Sequence, residues 1–393
     1  MDNISKVKWS TFLKDVLICS LGAYGGPEAH YGVFTDQMVT KKKYLNEDEL
    51  VELIALTGIL PGPSSTQTIT SIGYKVGGPL LAFLTLLVWA MPAIVVMTLL
   101  SFMYFFLSRN QVDTDILRYI GPMAVGFIAV AAYRIGRKVV KSKLTLFLFI
   151  LGMVIPYFWT MAFIYPLILL TGGVVYLLVS NEKNLWHKVE MRPPWKYFIA
   201  FVSLAVIGVI LTTIFDYRLF FLFERFYRFG YLVIGGGQVV VPYMVTDLVD
   251  VHQFMTLQEF LTGFGIVQGI PGPMFSFSAY AGGMSSRDLS SFQQVLGAIT
   301  SGIAIFLPGT LLIFFVYPIW ASLRTMKGIK VALIGISAVA GGLIAIAAFK
   351  LMQDSGFYFD NILVLMVTII LLLTKKIPAP FIVLVSIILG FLI

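Results

Sequence analysis

The chain has 393 residues, of which 58% are hydrophobic and only 12% are charged, and its mean hydropathy is +0.90. This composition excludes an ordinary soluble globular domain. The net charge of +8 is typical of a membrane protein whose cytoplasmic loops collect Lys and Arg, so it does not indicate nucleic-acid binding. We therefore expect an all-α polytopic protein of the plasma membrane, with lipid and no nucleic acid among its partners.

The first apolar run is flanked by Lys6, Lys8 and Lys14 and continues into the sequence YGGPEAH at residues 24–30. It lacks the small-residue cleavage pattern of a signal peptide, so we interpret it as mature sequence with a cytoplasmic N-terminus. Glycine and proline interrupt the helix here, and proline suits the first position of a new one. The sequence predicts a half-helix that starts at Pro27.

A second break follows in the sequence LTGILPGPSSTQT at residues 56–68. Pro63 is expected to open another half-helix, whose first turns carry hydroxyl and amide side chains. A third stretch, residues 79–107, is uncharged and long enough to cross a bilayer.

The two breaks recur in the second half of the chain. Gly235-Gly236 and Pro271-Gly272-Pro273 repeat the first-half motifs at an offset of 210 residues, and Pro308 is the counterpart of Pro92. Glu49 and Glu259 also match, near predicted helix starts. The expected organisation is a first membrane repeat, a basic cytoplasmic linker, an extra transmembrane helix and a second membrane repeat, at residues 1–180, 181–196, 197–216 and 217–393.

Each repeat is expected to contain two broken or re-entrant helix pairs followed by about four spans. The extra span would invert the second repeat, and this topology places most of the 28 basic residues on the cytoplasmic side. An alternative topology makes residues 11–40 one discontinuous helix that crosses the whole membrane. The Lys41-Lys42-Lys43 triplet argues against it, because it would then lie outside.

Helix breaks in lipid free backbone N–H and C=O groups that protein or water must satisfy, so they are typical of a protein-lined cavity. Helix starts attract anions, and hydroxyl and amide donors suit a tetrahedral oxyanion that must also be released. Paired breaks in two repeats point to a transporter's binding site. The expected substrate-binding residues are Gly25, Gly26, Pro27, His30, Pro61, Gly62, Pro63, Ser64, Ser65, Thr66, Gln67, Gly236, Gly237, Gln238, Gln268, Pro271, Gly272, Pro273 and Ser276.

Glu28 and His30 are candidates for energy coupling, since the matching second-half positions are Gln238 and Val240. A partly desolvated carboxylate could bind a proton together with the substrate. The alternatives are that Glu28 caps a helix start and that His30 is hydrogen-bonded to the backbone.

The motifs LGAYGGPEAHYGVF, LTGILPGPSSTQT, IGGGQVVVP and VQGIPGPMFSFSAYAG resemble those of the chromate ion transporters over nearly the whole chain. The resemblance implies a long, two-domain member that exports chromate, with sulfate or a related oxyanion as an analogue. It places the family motifs on Gly25, Gly26, Pro27 and His30, on Gly236 and Gly237, and on both Pro-Gly-Pro sequences. The second half reads GGGQ where the first reads GGPE, so equivalent roles for the halves do not follow. A homodimer is left open.

Two other classes of protein share some of these sequence features. An anion channel with re-entrant selectivity segments stays open on sequence alone. An intramembrane enzyme with Ser64 or Ser65 as nucleophile and His30 as base is disfavoured, because no established catalytic motif accompanies them. The sequence contains no nucleotide-binding P-loop. We expect no catalytic residue, metal or cofactor, and secondary transport driven by an ion or by the membrane potential.

Overall fold

The computed structural model describes residues 7–109, 114–159, 164–180, 182, 185, 191–233 and 237–392. Every regular element within these ranges is helical, as the sequence predicts for a helical membrane protein. Four helical stretches are long and apolar enough to cross a membrane, namely Ser64–Tyr104, Trp195–Ile214, Ser291–Leu323 and Lys327–Ser355.

The first half of the chain begins with short helices and continues with longer ones. A π-helical segment, Thr35–Lys41, follows the second helix directly, and a 3₁₀ turn covers Thr114–Leu117. The helices are α1 (Trp9–Gly22), α2 (Pro27–Phe34), α3 (Glu47–Thr57), α4 (Ser64–Arg109), α5 (Ile120–Val139), α6 (Lys143–Phe158) and α7 (Ile164–Val179).

The second half repeats this order after one additional helix. A second π-helical segment, Thr246–Val251, lies at the equivalent place, and 3₁₀ turns cover Gly237–Val240, Met274–Ser276 and Tyr317–Ile319. The helices are α8 (Trp195–Ile214), α9 (Arg218–Leu232), α10 (Val241–Val245), α11 (Leu257–Val267), α12 (Phe277–Met284), α13 (Ser291–Ala304), α14 (Leu307–Val316), α15 (Trp320–Leu323), α16 (Lys327–Ser355), α17 (Phe359–Thr374) and α18 (Ala379–Leu392).

The chain forms two compact units, and each takes segments from both halves of the sequence. The first unit comprises Met1–Phe105, Arg192–Tyr231 and Val267–Trp320, and the second comprises Phe106–Met191, Leu232–Ile266 and Ala321–Ile393. The expected repeats and linker are divisions along the sequence, whereas these units are divisions in space. Both Pro-Gly-Pro turns and the helical segments that follow them belong to the first unit.

In the second unit, α16 packs against α5, α6 and α7, while α17 packs against α5. Glycines permit this approach, since a Cβ on Gly152 would collide with the carbonyl of Val339, and one on Gly342 would collide with that of Phe149. In the repeat, α5 corresponds to α16 and α6 to α17, so α6–α16 and α5–α17 are equivalent pairs. Such exchanged pairs are expected of two copies related by a two-fold axis.

The first unit begins with a hairpin formed by α1, α2 and the first π-helical segment. Gln37 Nε2 donates a hydrogen bond to Asp15 Oδ1 at 2.9 Å, which brings the π-helical segment back alongside α1. Residues 11–40 therefore fold back on themselves. The alternative topology, in which they cross the membrane once, would need them to be extended. The turn of this hairpin is the Gly-Gly-Pro break.

A second hairpin is hidden within α4. Gly77 and Gly78 have non-helical backbone angles, and Gly78 has a φ of 76°. A Cβ on Gly73 would lie 3.1 Å from the Cα of Ala82, a distance that requires the two arms, residues 64–76 and 79–109, to lie side by side at the turn. This close antiparallel turn was not predicted from the sequence.

The second half of the first unit repeats this hairpin with α12 and α13. A Cβ on Gly297 would lie 3.0 Å from the carbonyl oxygen of Gly282, so the two helices are in direct backbone contact. Ser290 and Gln293 form a reciprocal capping box that starts α13. The turn between these helices corresponds to the Gly77–Gly78 turn of α4.

Candidate functional site

The first break is formed by two glycines with left-handed backbones. Gly25 has a φ of 81° and Gly26 a φ of 94°, values that side chains on L residues rarely allow. α2 then begins at Pro27, as the sequence predicts. The carbonyl oxygen of Ala23, just before the break, accepts a hydrogen bond of 2.9 Å from the backbone N–H of Gly272. The Gly-Gly-Pro break of one half thus contacts the Pro-Gly-Pro turn of the other.

The Pro-Gly-Pro turns have matching geometry and matching contacts. Gly62 has a φ of 126° and Gly272 a φ of 108°. A Cβ on Gly62 would lie 3.1 Å from Gly309 Cα, and one on Gly272 would lie 3.1 Å from Ala93 Cβ. Gly309 directly follows Pro308, and Ala93 directly follows Pro92, the proline that matches Pro308 in the repeat. Each turn therefore packs against the proline-containing helix of the other half.

The half-helix after the first of these turns starts one residue later than predicted, and the second half has the same arrangement. α4 begins at Ser64 and the 3₁₀ turn of the second half begins at Met274, so Pro63 and Pro273 stand immediately before the first helical residue. Pro273 has an extended conformation, with a φ of −70° and a ψ of 129°. A residue preceding the helix has such a conformation when it serves as the N-cap.

Four buried side chains form what we call the central cluster: His30, Ser65, Thr66 and Trp89. His30 Nδ1 lies 3.0 Å from Ser65 Oγ, and Trp89 Nε1 donates to Thr66 Oγ1 at 3.1 Å. The rings of His30 and Trp89 meet edge to face with centroids 5.4 Å apart. All four side chains are buried, and His30 Nε2 makes no hydrogen bond within the described protein.

Gln67 joins the first Pro-Gly-Pro turn to α14. Its Nε2 donates to Pro61 O at 2.7 Å and to Gly309 O at 3.3 Å. Its buried Oε1 makes no hydrogen bond within the described residues, and the same is true of the Oγ of Ser276. Because both amide protons of Gln67 are directed at carbonyls, its geometry suits positioning of the turn more than donation to an anion.

The remaining predicted site residues are less informative. Ser64 is half-buried at the start of α4, and Gln268 is buried. Gly237 and Gln238 lie in a 3₁₀ turn of the second unit, where the sequence GGGQ has no helix-starting proline. Gly236 and the side chain of Glu28 lie outside the described part of the chain, so the coupling prediction for Glu28 has no structural counterpart here.

Sequence reasoning missed Trp89 and Ser20. Ser20 Oγ donates to Trp89 O at 2.7 Å, which ties α1 to the helix that carries the indole. Trp89 has no exposed surface, although tryptophans of membrane proteins are most often found at the interface with water. Its position in the middle of an uncharged run was the signal that could have identified it.

The central cluster offers donors without a permanent positive charge. Its polar groups are an imidazole, two hydroxyls and an indole N–H, and backbone N–H groups at the start of α4 lie in the same region. Donors of this kind bind anions through hydrogen bonds and the helix dipole. The described residues contain no group of three or more His, Cys, Asp or Glu side chains that could hold a metal ion.

Comparisons with known proteins place this geometry in context. The chain is 25% identical to an uncharacterised transporter of Methanocaldococcus jannaschii, over 94% of this chain and 91% of that protein. It is 25% identical to a probable chromate transport protein of Synechococcus elongatus, over 94% and 92% of the two chains. It is 24% identical to a chromate transport protein of Cupriavidus metallidurans, over 92% and 87%. No solved structure matches the chain.

The family model described as chromate transporter matches the chain twice, over residues 10–179 and 220–391. The two matches begin in α1 and α9 and end in α7 and α18, so both contain a complete copy of the repeated helix order. They leave α8 as the additional helix between the copies. The chain therefore belongs to the chromate transporter family.

Proposed function

We propose that the protein is a secondary transporter that exports chromate, or a related divalent oxyanion such as sulfate, across the cytoplasmic membrane. The observation that carries the proposal is the central cluster, in which buried donors lie beside helix breaks contributed by both halves of a chromate transporter family member. The substrate would bind between the starts of the half-helices, close to His30, Ser65 and Trp89.

The chemistry of the cluster suits reversible binding of a dianion. When the Ser65 hydroxyl donates a hydrogen bond to His30 Nδ1, the ring proton of the neutral imidazole is on Nε2. Nε2 can then donate a hydrogen bond to an oxyanion. Nε2 of His30 is the buried atom that has no partner within the described protein. A neutral donor set releases its ligand more readily than a buried Lys or Arg, which would hold a dianion tightly.

The exchanged contacts of the Pro-Gly-Pro turns support a cycle based on two inverted repeats. Each turn packs against the helix of the opposite half, so movement of one half relative to the other would alter both turns together. In transporters with inverted repeats, such coupled movement opens a central site to the two membrane faces alternately. We propose that the hairpins at the breaks are re-entrant and that the N-terminus is cytoplasmic.

Proton coupling through Glu28 and His30 completes the proposal. A proton bound with the dianion would lower the charge that has to cross the membrane. The His30 to Ser65 bond also has the geometry of a nucleophile and its base. In catalytic pairs of that kind a third group orients the imidazole, whereas Nε2 of His30 is buried without such a bond in the described residues, which favours binding over catalysis.

The test is flux of labelled chromate and sulfate through proteoliposomes, with and without a pH gradient. Ser65→Ala should reduce flux about tenfold, since without the hydrogen bond from the Ser65 hydroxyl to Nδ1 the ring proton of His30 is no longer fixed at Nε2, and a hydrogen bond to a charged group contributes roughly 1.5–3 kcal/mol. Ser386→Ala is the matched control, because Ser386 is also buried but bonds only to the carbonyl of Ile382 in its own helix. Glu28→Gln should abolish the response to the pH gradient.

Each result has a distinct meaning. Full flux in Ser65→Ala would refute a substrate site at the central cluster. An unchanged response of Glu28→Gln to pH would refute coupling through that carboxylate while leaving the site intact. Flux that never saturates and follows voltage linearly would favour the channel.

A further inference from the structure

Each repeat carries a π-helical segment immediately after its first broken helix. π-Helices are rare and are frequently found at functional sites. Each segment, Thr35–Lys41 and Thr246–Val251, is followed by a non-glycine residue with a left-handed backbone. These residues are Lys43, with a φ of 53°, and Gln253, with a φ of 49°, and they stand at equivalent positions of the repeat. Surrounding contacts have to maintain such a conformation.

In the first repeat, those contacts converge on one buried carboxylate. We call Asp15, Gln37, Lys42 and Tyr44 the first latch. Asp15 Oδ1 accepts from Gln37 Nε2 at 2.9 Å and lies 3.2 Å from Lys42 Nζ, while Oδ2 accepts from Tyr44 Oη at 2.6 Å. The Asp15 side chain is 3% exposed, whereas that of Lys42 is 40% exposed. The buried carboxylate is thus bound by groups on the π-helical segment and on the loop after it.

The first latch connects to the central cluster along both helices of the hairpin. On α1, Ser20 lies just over one turn beyond Asp15 and donates to the carbonyl of Trp89. On the return arm, Phe34 lies one turn after His30, and its ring packs against Trp89 with centroids 5.3 Å apart. Release of the π-helical segment from α1 would therefore disturb two of the contacts that position Trp89, one to its backbone and one to its ring.

A buried charge in an apolar helix is unfavourable unless it is fully paired, and removal of one partner leaves the other uncompensated. Asp15 belongs to the buried face of α1 with Phe12, Val16 and Cys19, and these neighbours are apolar or weakly polar. The other charged groups near Cys19 are Asp36 and Lys41, which pair with each other at the exposed surface. The partners on the π-helical segment and its loop therefore offset the free-energy cost of burying the Asp15 charge.

The second repeat has charged groups at the matching positions but distributes them differently. Arg225 stands at the position of Asp15, Asp247 at that of Gln37 and His252 at that of Lys42. Asp247 is buried, its carbonyl oxygen lies 2.8 Å from His252 Nδ1, and its Oδ1 lies 3.7 Å from the same atom. A buried acid with a base beside it thus accompanies the π-helical segment in both repeats, although in the second repeat both groups belong to the segment and the residue after it.

We infer that Asp15 is a positioning residue for transport: it locks the first π-helical segment against α1 and thereby holds the hairpin that carries His30 closed. The inference depends on the proposed function only for its transport readout. Opening the first latch lets the broken hairpin separate, so the ion pair of Asp15 and Lys42 sets how often the site opens on this side.

The single cysteine of the chain supplies a direct test. Cys19 lies one turn from Asp15 on the buried face of α1 and has no exposed surface. Its reaction with a small maleimide therefore reports separation of the hairpin. Asp15→Asn, which keeps the size of the side chain but removes its charge, should accelerate labelling of the folded protein about tenfold or more, because a broken buried pair strongly favours the open form. Lys42→Gln should act in the same direction.

The matched control is Asp36→Asn. It makes the same Asp-to-Asn change, on the π-helical segment that the first latch holds, but breaks the exposed pair with Lys41, whose side chain is 58% exposed. It should leave the labelling rate within about twofold of the wild type, since exposed pairs contribute little. Equal acceleration in Asp36→Asn, or none in Asp15→Asn and Lys42→Gln, overturns the inference. If Asp15→Asn does not fold, Lys42→Gln decides alone, because its half-exposed side chain can be replaced at the surface.

Transport kinetics separate the first latch from the site itself. A shift in the opening equilibrium should change kcat about tenfold in Asp15→Asn, with KM altered by less than about threefold. An Asp15→Asn protein with rapid labelling and unchanged kcat would show a structural pair without a role in transport, which also overturns the inference. If the wild type transports no oxyanion at all, the proposed function fails, whereas the labelling comparison still tests the first latch.

Discussion

The first-half break and its second-half counterpart share a backbone but differ in chemistry. Gly62 and Gly272 have the same left-handed conformation and the same kind of partner. Most of the central cluster has no polar equivalent, since the residues that match His30, Ser65 and Trp89 are the buried, apolar Val240, Phe275 and Ile305. Gln67 is matched by Phe277, and only Thr66 keeps a hydroxyl counterpart, the buried Ser276. Duplication has therefore preserved the scaffold twice but most of the polar side chains once.

If the proposed function holds, this difference predicts one substrate site rather than two. Side chains such as Val and Phe offer no hydrogen bond to an oxyanion, and desolvating a dianion among them would be strongly unfavourable. The second-half turn still contributes to the first-half break, because the N–H of Gly272 donates to Ala23 O. The second half thus supplies support and backbone, and the first half supplies the side chains.

The largest expected effect concerns the shared scaffold. Gly62→Ala and Gly272→Ala should both nearly abolish transport, since each forces an L side chain into a left-handed backbone and places a Cβ 3.1 Å from a neighbouring carbon. We estimate roughly 1–2 kcal/mol for the conformation and about 1–3 kcal/mol for the crowding. Flux and thermal unfolding in detergent would measure both. If only one variant is impaired, the turns are not equivalent supports.

The next effect concerns the donor groups that only one half carries. His30→Gln should weaken oxyanion binding about 10- to 100-fold, because a hydrogen bond to a charged group contributes roughly 1.5–3 kcal/mol. Val240→Ala, at the matching position, removes only apolar contacts and should leave affinity unchanged while lowering the unfolding temperature. Equilibrium binding of labelled chromate to both purified variants makes the comparison. Equal losses of affinity would indicate two sites.

The sequence predicted the breaks because glycine and proline act locally. Pro27 starts its helix whatever lies around it, and Glu49 forms the capping box with Asn46 that its position near a helix start suggested. Partners distant along the chain were not predictable in this way. Nothing local in Ala23 indicates a hydrogen bond to Gly272 about 250 residues later.

Other features were missed because tertiary packing overrides local preference. Trp89 points into the protein, since its indole N–H finds Thr66 on the arm that folds back at Gly77 and Gly78. The role of Asp15 was not predicted, because its partners Gln37 and Tyr44 follow it by more than 20 residues in the sequence. A single sequence shows which residues are unusual, but the partner that satisfies each one depends on the fold.

The smallest expected effect concerns the hairpin ends, where the repeats differ again. Glu49 Oε1 lies 2.6 Å from Lys75 Nζ on the first arm of α4, whereas the position matching Lys75 is Ser285, whose carbonyl accepts from Arg218. Burial alone would raise the pKa of Glu49, but the hydrogen bonds from Lys75 and the Asn46 N–H together lower it below its usual value. The stabilisation is therefore present above the usual carboxyl pKa and is lost as the pH falls through the lowered folded-state pKa.

Glu49→Gln should remove this part of the acid sensitivity of thermal unfolding, an effect of about 0–1 kcal/mol because the pair is partly exposed. Lys75→Gln should remove only the share due to Lys75, because the Asn46 N–H still donates to Glu49, and the double variant should lose no more than Glu49→Gln alone. Unfolding temperatures between neutral and acidic pH measure the difference. Additive losses in the double variant would show that the two side chains act separately, and the first repeat would then hold its hairpin end, as the second does, through contacts to the backbone.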